Sequence, residues 1–256
     1  MAAKLEFEPG KARYLAILSV VLALGAANAP AALAQGGPPG FLQETTGGPP
    51  PDPDPHVLRG LYVGGVPTRI PSVKVMAPYK KAALALLNQR VAAMNAGTDR
   101  PDPQVYCETG GAVRFAAGGF PVRFITTPGL ITMIAEEDHV VRRIYLNQPH
   151  PAHIVPSIIG DSVGHWEGNT LVVDSIGFKN GGWMDENGSP SSDKLHLYER
   201  FTKKKGGHMI EDQITIDDPV NYTAPFVYVH DYTYAPNATW DEMICEENNR
   251  NVGPLP

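Results

Sequence analysis

The sequence has little clustered positive charge, which argues against a nucleic-acid partner. It contains 21 lysine and arginine residues against 27 aspartate and glutamate residues, which gives a formal net charge of −6. The only basic run, three lysines at 203–205, stands beside two glycines and is typical of an exposed hairpin turn. Because nucleic-acid-binding domains present clustered lysine and arginine, we expect no nucleic acid to bind.

Motifs for several common kinds of active site are also absent. The Gly-Asp-Ser-Val-Gly segment at 160–164 would open a strand, so it is not the strand-to-helix elbow of a serine nucleophile. Paired glycines lack the setting of a nucleotide-binding loop. His150 and His153, in a proline-rich loop, form too weak a pattern to predict zinc. We therefore expect no cofactor and no bound metal.

Cysteine is scarce, since the chain contains only Cys107 and Cys245. In an oxidising compartment, two cysteines separated by most of a domain favour a single disulfide. A catalytic thiol is the alternative. Because neither cysteine has an obvious dedicated partner beside it in the sequence, we favour the disulfide.

Long apolar segments are confined to the N-terminus. A basic leader over residues 1–13 precedes an apolar run at 14–27 and an Ala-Leu-Ala segment at 32–34. This layout predicts a signal peptide over residues 1–34 and a periplasmic or secreted mature protein without membrane contact. A single membrane anchor is the alternative, but the run is short for the roughly 20 residues that a span needs.

The remaining chain predicts one domain preceded by an arm. Residues 35–56 are nearly all glycine, proline and acidic residues, which predicts a disordered arm. Residues 57–256 then form a single β-rich domain. Pro78 and Gly97 bracket a helix predicted over 77–96. Side chains recur at helical spacing along it: Tyr79, Ala83, Leu86, Leu87, Arg90, Val91 and Met94. We expect this stripe to dock on the domain as a covering helix.

From residue 112 onward the hydrophobic pattern has period two, as in strands. The expected strands lie near 122–125, 130–135, 140–146, 161–174 (a hairpin around Gly168-Asn169), 194–204, 208–217, 226–234 and 241–245. Short antiparallel strands at this spacing, with one helix, favour a mainly β fold. We expect an up-and-down, lipocalin-like barrel, with a sandwich as the alternative.

Alternation along the expected strands predicts which side chains share a face. In the segment 226–234, Tyr228, His230 and Tyr232 lie on one face and would form an aromatic wall around a histidine. In the segment at 195–201, Glu199 shares a face with apolar residues. The opposite face of that segment carries His196, Tyr198 and Arg200.

A buried carboxyl and a histidine make a workable acid/base pair. The expected roles are His230 or His150 as base, Glu199 as acid partner or orienter, Tyr198 or Tyr228 as proton donor, and Arg200 as holder of a developing oxyanion. The expected substrate contacts are Trp166, His165, Asp174, His196, Tyr228 and Tyr232. The alternative for Glu199 is a structural ion pair with Arg200 or Arg143.

Several segments together resemble one family. They are Pro149-His150-Pro151, Gly160-Asp-Ser-Val-Gly164, Trp166-Glu-Gly-Asn-Thr-Leu-Val-Val173, and Leu195-His196 with Glu199-Arg200-Phe201. The chain is similar, through them, to a largely uncharacterised family of secreted bacterial proteins. The resemblance implies a loose association with bacteria that digest plant-derived aromatic compounds, and therefore an aromatic ligand.

The leading hypothesis is a cofactor-independent periplasmic lyase or isomerase that applies acid/base chemistry to a small aromatic molecule. It follows from the absence of nucleophile, metal and nucleotide motifs. A periplasmic binding protein for a hydrophobic ligand and a hydrolase using activated water are the alternatives.

Overall fold

The computed structural model describes residues 49–64, 77–97, 102–115, 120–241 and 245. This part of the chain contains nine strands and one α-helix. In chain order they are β1 (Gly60–Gly64), α1 (Lys81–Ala96), β2 (Pro121–Thr127), β3 (Leu130–Ala135), β4 (Val141–Leu146), β5 (Asp161–Glu167), β6 (Thr170–Ile176), β7 (His196–Lys204), β8 (Met209–Asp217) and β9 (Phe226–Tyr234). The predicted signal peptide and most of the strand predicted at 241–245 lie outside these residues. No helix within these ranges is long and apolar enough to cross a membrane.

The nine strands close into a single barrel, because β1 pairs with both β2 and β9. The predicted mainly β barrel with one helix is thereby confirmed. One pair departs from up-and-down order. Strands β4 and β5 run parallel, because the chain crosses back over residues 147–160 before it enters β5. This crossover carries His150 over the outer surface of the wall.

The hairpin predicted around Gly168 and Asn169 is confirmed as β5 and β6, which pair antiparallel from Asp161↔Ile176 to Glu167↔Thr170. Gly168 has a φ of 56°, in the left-handed region that glycine enters without strain. The two-residue connection fixes the register, and therefore which side chains face outward.

Two hydrophobic clusters and a charged layer fill the barrel interior. Cluster 1 comprises Leu58, Tyr62, Phe115, Val122, Phe124, Ile131, Met133, Ala135, Ile144, Leu171, Val173, Phe201, Ile210 and Tyr232. Cluster 2 comprises Ala112, Val113, Phe178, Met184, Leu195, Leu197, Ile214, Ile216, Tyr222, Phe226 and Tyr228. Between them lie four buried side chains, here called the charged layer: Arg142, Glu199, Asp212 and His230. The described strands therefore enclose a packed core.

Helix α1 is shorter than predicted and docks through fewer residues. It begins at Lys81 and ends before Gly97, whose φ is 66°. Ala83 and Leu87 are buried, but Leu86 is 38% exposed, so the predicted docking stripe is wrong at that position. Arg90 lies 4.8 Å from the ring centroid of Trp183, which adds a cation–π contact to the docking.

The end of the proline-rich arm is fixed against the barrel. The Lys203 ammonium donates hydrogen bonds to the carbonyls of Asp52 (2.9 Å) and Asp54 (2.7 Å). Within the arm predicted over 35–56, two backbone carbonyls of residues 49–56 thus have a partner on β7. The earlier part of the arm lies outside the described residues.

The predicted disulfide is confirmed. Cys107 and Cys245 are bonded, with a Cα–Cα distance of 5.5 Å, and 138 residues separate them in sequence. The bond ties the segment before β2 to the C-terminal segment. Cross-linking two distant points limits the freedom of the unfolded chain and so favours the folded state.

Replacing Cys245 with serine is expected to lower the free energy of unfolding by roughly 2–4 kcal/mol, through the lost cross-link. Urea denaturation of the variant and of the oxidised wild type measures the difference. Wild-type protein unfolded in the presence of a reductant is the matched control and should lose a similar amount. An unchanged denaturation midpoint in both samples would contradict the stabilising role.

Candidate functional site

A hydrogen-bonded histidine lies over the outer face of the barrel wall. His150 belongs to the crossover between β4 and β5, and Asp161 is the first residue of β5. The carboxylate of Asp161 accepts a hydrogen bond from Nδ1 of His150 at 2.6 Å. Nε2 of His150 is buried without a hydrogen-bond partner in the described part of the chain and lies 3.6 Å from Oδ1 of Asp174. One ring nitrogen is thus oriented, and the other is shielded from solvent beside Asp174 with its lone pair not hydrogen-bonded in the described residues.

A second histidine meets the same aspartate from the other side. Asp174 lies on β6, and its Oδ1 accepts a hydrogen bond from Nε2 of His196 on β7 at 2.5 Å. The Tyr198 hydroxyl lies 3.0 Å from Nδ1 of His196 and donates to it, since Nε2 carries the proton given to the carboxylate. Asp161, His150, Asp174, His196 and Tyr198 therefore form a continuous row, here called the His–Asp chain.

Asp174, at the centre of the His–Asp chain, lines a groove of about 350 Å³, here called the outer groove. Pro149, which precedes His150 in the crossover, lines it as well. The lining residues of the groove are Asn147, Gln148, Pro149, Val163, Gly164, His165, Val172 and Asp174. Valines from β5 and β6 supply an apolar floor, and the crossover supplies a wall with two amide side chains. An apolar surface with a few convergent polar groups is the usual composition of a small-molecule site.

The Tyr198 hydroxyl keeps its proton in the absence of a ligand and can donate it to a ligand that binds beside it. Partial burial raises the pKa of its hydroxyl, and the carboxylates of Asp174 and Asp217 add to the rise because they disfavour a phenolate. The side chain is 41% exposed, so it is accessible from solvent. Tyr198 therefore stays protonated near neutral pH and can act as a donor.

At one end of the outer groove, the charged side chains bind one another. His165 lies at that end, and its Nε2 is 3.3 Å from Oε1 of Glu167. The Arg200 guanidinium donates to Oε2 of Glu167 at 2.9 Å. Arg200 lies beside the groove, opposite Val172 on β6. The predicted role of Arg200 in holding a developing oxyanion stays a prediction, because its guanidinium is bound to Glu167.

Glu199 points into the barrel, and its partner is Arg142, not Arg200 or Arg143 as the ion-pair alternative proposed. Both carboxylate oxygens accept hydrogen bonds from the Arg142 guanidinium, Oε1 at 2.7 Å. Burial works to lower the pKa of Arg142, but the Glu199 carboxylate, together with Asp212 and Tyr232, outweighs it and raises that pKa. The arrangement is that of a structural ion pair.

His230 also points into the barrel but does not hydrogen-bond to Glu199 in the described part of the chain. Burial lowers its pKa to about 4, so its imidazole is neutral at neutral pH. Tyr228 and Tyr232 flank it on β9 within clusters 2 and 1. The expected Glu199–His230 pair is therefore not formed, because an arginine on another strand binds the carboxylate.

Trp166 packs toward cluster 1, and its ring lies 4.8 Å from that of His56. The predicted substrate-binding set is thus divided between two sides of the wall. His165, Asp174 and His196 lie outside on or beside the outer groove, whereas Trp166, Tyr228 and Tyr232 lie inside.

The segment that resembles the bacterial family is mainly structural on its inward side. The Ser162 hydroxyl accepts a hydrogen bond from Arg142 at 3.2 Å, so it is a buried partner of the charged layer. A side chain at Gly164 would approach the Val172 carbonyl to 2.9 Å, which accounts for the glycine. The outward side of the same segment supplies Asp161 and the groove floor.

Asp161 belongs to the site but was not among the site residues predicted from the sequence. Alternation assigns Asp161, Val163 and His165 to one face of β5, and this pattern was visible in the sequence. The contact with His150 was not, because it depends on the path of the crossover. Throughout the described ranges, no group of three or more histidine, cysteine, aspartate or glutamate side chains converges as a metal site.

No protein-family model matches the chain, and no curated protein matches it. The resemblance to secreted bacterial proteins therefore stays a prediction.

Proposed function

We propose that this protein is a lyase or isomerase that moves protons on a small aromatic molecule bound in the outer groove. The observation that carries the proposal is the His–Asp chain, in which carboxylates orient two histidines and one of those carboxylates, Asp174, lines a groove with an apolar floor. Acid/base groups held in place by a third partner are the usual arrangement for proton-transfer catalysis.

His150 takes the role of base. Asp161 holds Nδ1–H, so the lone pair of Nε2 remains for a substrate proton. A carboxylate that orients the ring also stabilises the imidazolium that forms after proton removal. His150 was among the bases expected from the sequence, and the structure gives it an orienting partner.

Tyr198 takes the role of acid. It donates its proton to an oxygen of the substrate. His196, whose Nε2–H is held by Asp174, then takes up a proton from solvent at Nδ1 and passes it to the Tyr198 phenolate, which restores both groups. In an isomerisation, the proton taken by His150 is returned to a different substrate atom. In an elimination, the proton from Tyr198 leaves with the departing oxygen while a double bond forms.

A periplasmic or secreted location is part of the proposal. A disulfide persists in an oxidising compartment, and the bonded Cys107 and Cys245 support such a location together with the predicted leader. The alternative of a hydrophobic ligand inside the barrel is not favoured, because inward side chains of clusters 1 and 2 fill the described interior.

The test is incubation of the mature protein with a panel of single-ring and dimeric plant-derived aromatics in heavy water, followed by mass spectrometry. Loss of a small neutral fragment indicates a lyase. A product with an unchanged elemental formula, apart from deuterium in place of hydrogen, and a new retention time indicates an isomerase. A panel that stays unchanged and takes up no deuterium would contradict the proposal.

A further inference from the structure

Asp212 and His230 are directly opposed inside the barrel. They are register partners on β8 and β9, and both point inward, with exposures of 1% and 3%. Ile210 and Tyr232 of cluster 1 lie on one side of the pair. Ile214 of cluster 2 lies on the other side. The proposed acid/base site on the outer face does not use either group.

Each of the two side chains has a buried polar atom that lacks a partner in the described part of the chain. These atoms are Oδ1 of Asp212 and Nε2 of His230. A buried polar atom without a hydrogen bond lowers the stability of the fold by about 1–3 kcal/mol. Because two such atoms belong to directly opposed residues, an interaction between those residues would remove both losses. Directly opposed Cβ atoms lie roughly 4.5–5.5 Å apart, within reach of a carboxyl group and an imidazole.

The charged groups around Asp212 and His230 favour a state in which the pair carries one proton and has no net charge. Glu199 from β7 and Arg142 from β4 neutralise each other. Burial raises the pKa of Asp212, and the Glu199 carboxylate adds to the rise. Burial lowers the pKa of His230. Tyr232 stays protonated, because burial also raises its pKa. An isolated charge on either member of the pair is therefore disfavoured.

We propose that Asp212 and His230 share one proton inside the barrel, directly or through one enclosed water, and so keep the fold insensitive to mild acid. With one proton the pair is neutral overall, whether the proton lies on the carboxyl group or forms an aspartate–imidazolium pair. A second proton would leave an uncompensated positive charge between two hydrophobic clusters.

The two groups would act in opposite directions if each were alone. The pKa of His230 is about 4 in the folded protein against 6.5 as its ordinary value, so the unfolded state binds more protons in that window. Its contribution to stability is present above the window and is lost as the pH falls through it. The pKa of Asp212 lies above its ordinary value, so the folded state binds more protons and stability rises as the pH falls. A shared proton cancels the two.

The test is the folding equilibrium constant, measured by urea denaturation at pH 7 and pH 4.5, of the wild type and two near-isosteric variants. Relative to wild type, Asp212→Asn should lose on the order of 50-fold in that constant on acidification, because a lone neutral histidine remains. His230→Gln should gain on acidification, because a lone carboxyl group remains. Changes of the same sign, or none relative to wild type, would overturn the proposal.

Ring-nitrogen NMR of labelled histidines in the wild type gives a second readout if a variant does not fold. The His230 signals should stay constant from pH 7.5 to pH 3.5, because the pair neither gains nor loses a proton, whereas burial alone would give His230 a pKa of about 4. A short histidine peptide in the same buffers is the control and should titrate near its ordinary pKa of about 6.5. A His230 titration anywhere in that range would overturn the shared proton.

Discussion

His150→Gln is expected to lower turnover of the groove substrate by about 100- to 10,000-fold, the range associated with loss of a general base. Glutamine keeps a polar group near Asp161 but offers no nitrogen lone pair for proton removal. His150 is partly exposed, so the fold should tolerate the change. The measurement is kcat at saturating substrate, with the substrate taken from the panel experiment.

The matched control for His150→Gln is His153→Gln. His153 lies in the same crossover and is exposed. We expect turnover by this variant to remain at the wild-type level. His196→Gln should also lower kcat, because it interrupts the path by which Tyr198 recovers its proton. Wild-type turnover by His150→Gln would remove His150 from the mechanism, whatever the effect of His196→Gln.

Glu199→Gln is expected to destabilise the fold by about 3–5 kcal/mol, the cost of breaking a buried ion pair on one side. The variant leaves the Arg142 guanidinium buried, at 2% exposure, beside a neutral amide. A guanidinium does not lose its proton, so the charge cannot be relieved by deprotonation. Urea denaturation at neutral pH measures the loss.

Two controls separate the ion pair from a general effect of altering the strands. Arg143→Met changes the adjacent, outward-facing residue of β4 and should have little effect on the free energy of unfolding. The double variant Arg142→Met with Glu199→Met should regain most of the lost stability, because no unpaired charge remains. A double variant as unstable as Glu199→Gln would show that the charged layer contributes through shape alone.

The two substitutions with the largest expected effects concern opposite sides of the barrel wall: His150 lies outside it and Glu199 inside. Strand alternation explains how one wall serves both. On β7, Glu199 faces inward while His196 and Tyr198 face outward. The inward residue is 1% exposed, and a carboxylate so shielded from solvent needs a cation beside it. The outward residues meet solvent and the groove, where proton exchange with a ligand is possible. The same nine-residue strand therefore contributes to stability and to the proposed chemistry.

Much of the fold was predictable because the responsible signals are local. Period-two hydrophobicity gave the strands and the faces of β6, β7 and β9, and the turn around Gly168 gave the hairpin register. The candidate residues Asp174, His196 and Tyr198 were chosen from residue type and strand face, and His150 from its residue type and its place in a proline-rich loop. Alternation requires only the geometry of one strand, so no distant contact is needed to infer it.

The tertiary structure alone decided which of these residues act together. The parallel pairing of β4 with β5 directs the crossover, and only this path brings His150 to Asp161 and Asp174. Barrel closure likewise chose Arg142 as the partner of Glu199, across strands 57 residues apart. Composition and alternation determined the strands and their faces, because each strand sets its own side-chain directions. The partners depended on how nine strands close on one another, which is a long-range property that no single segment contains.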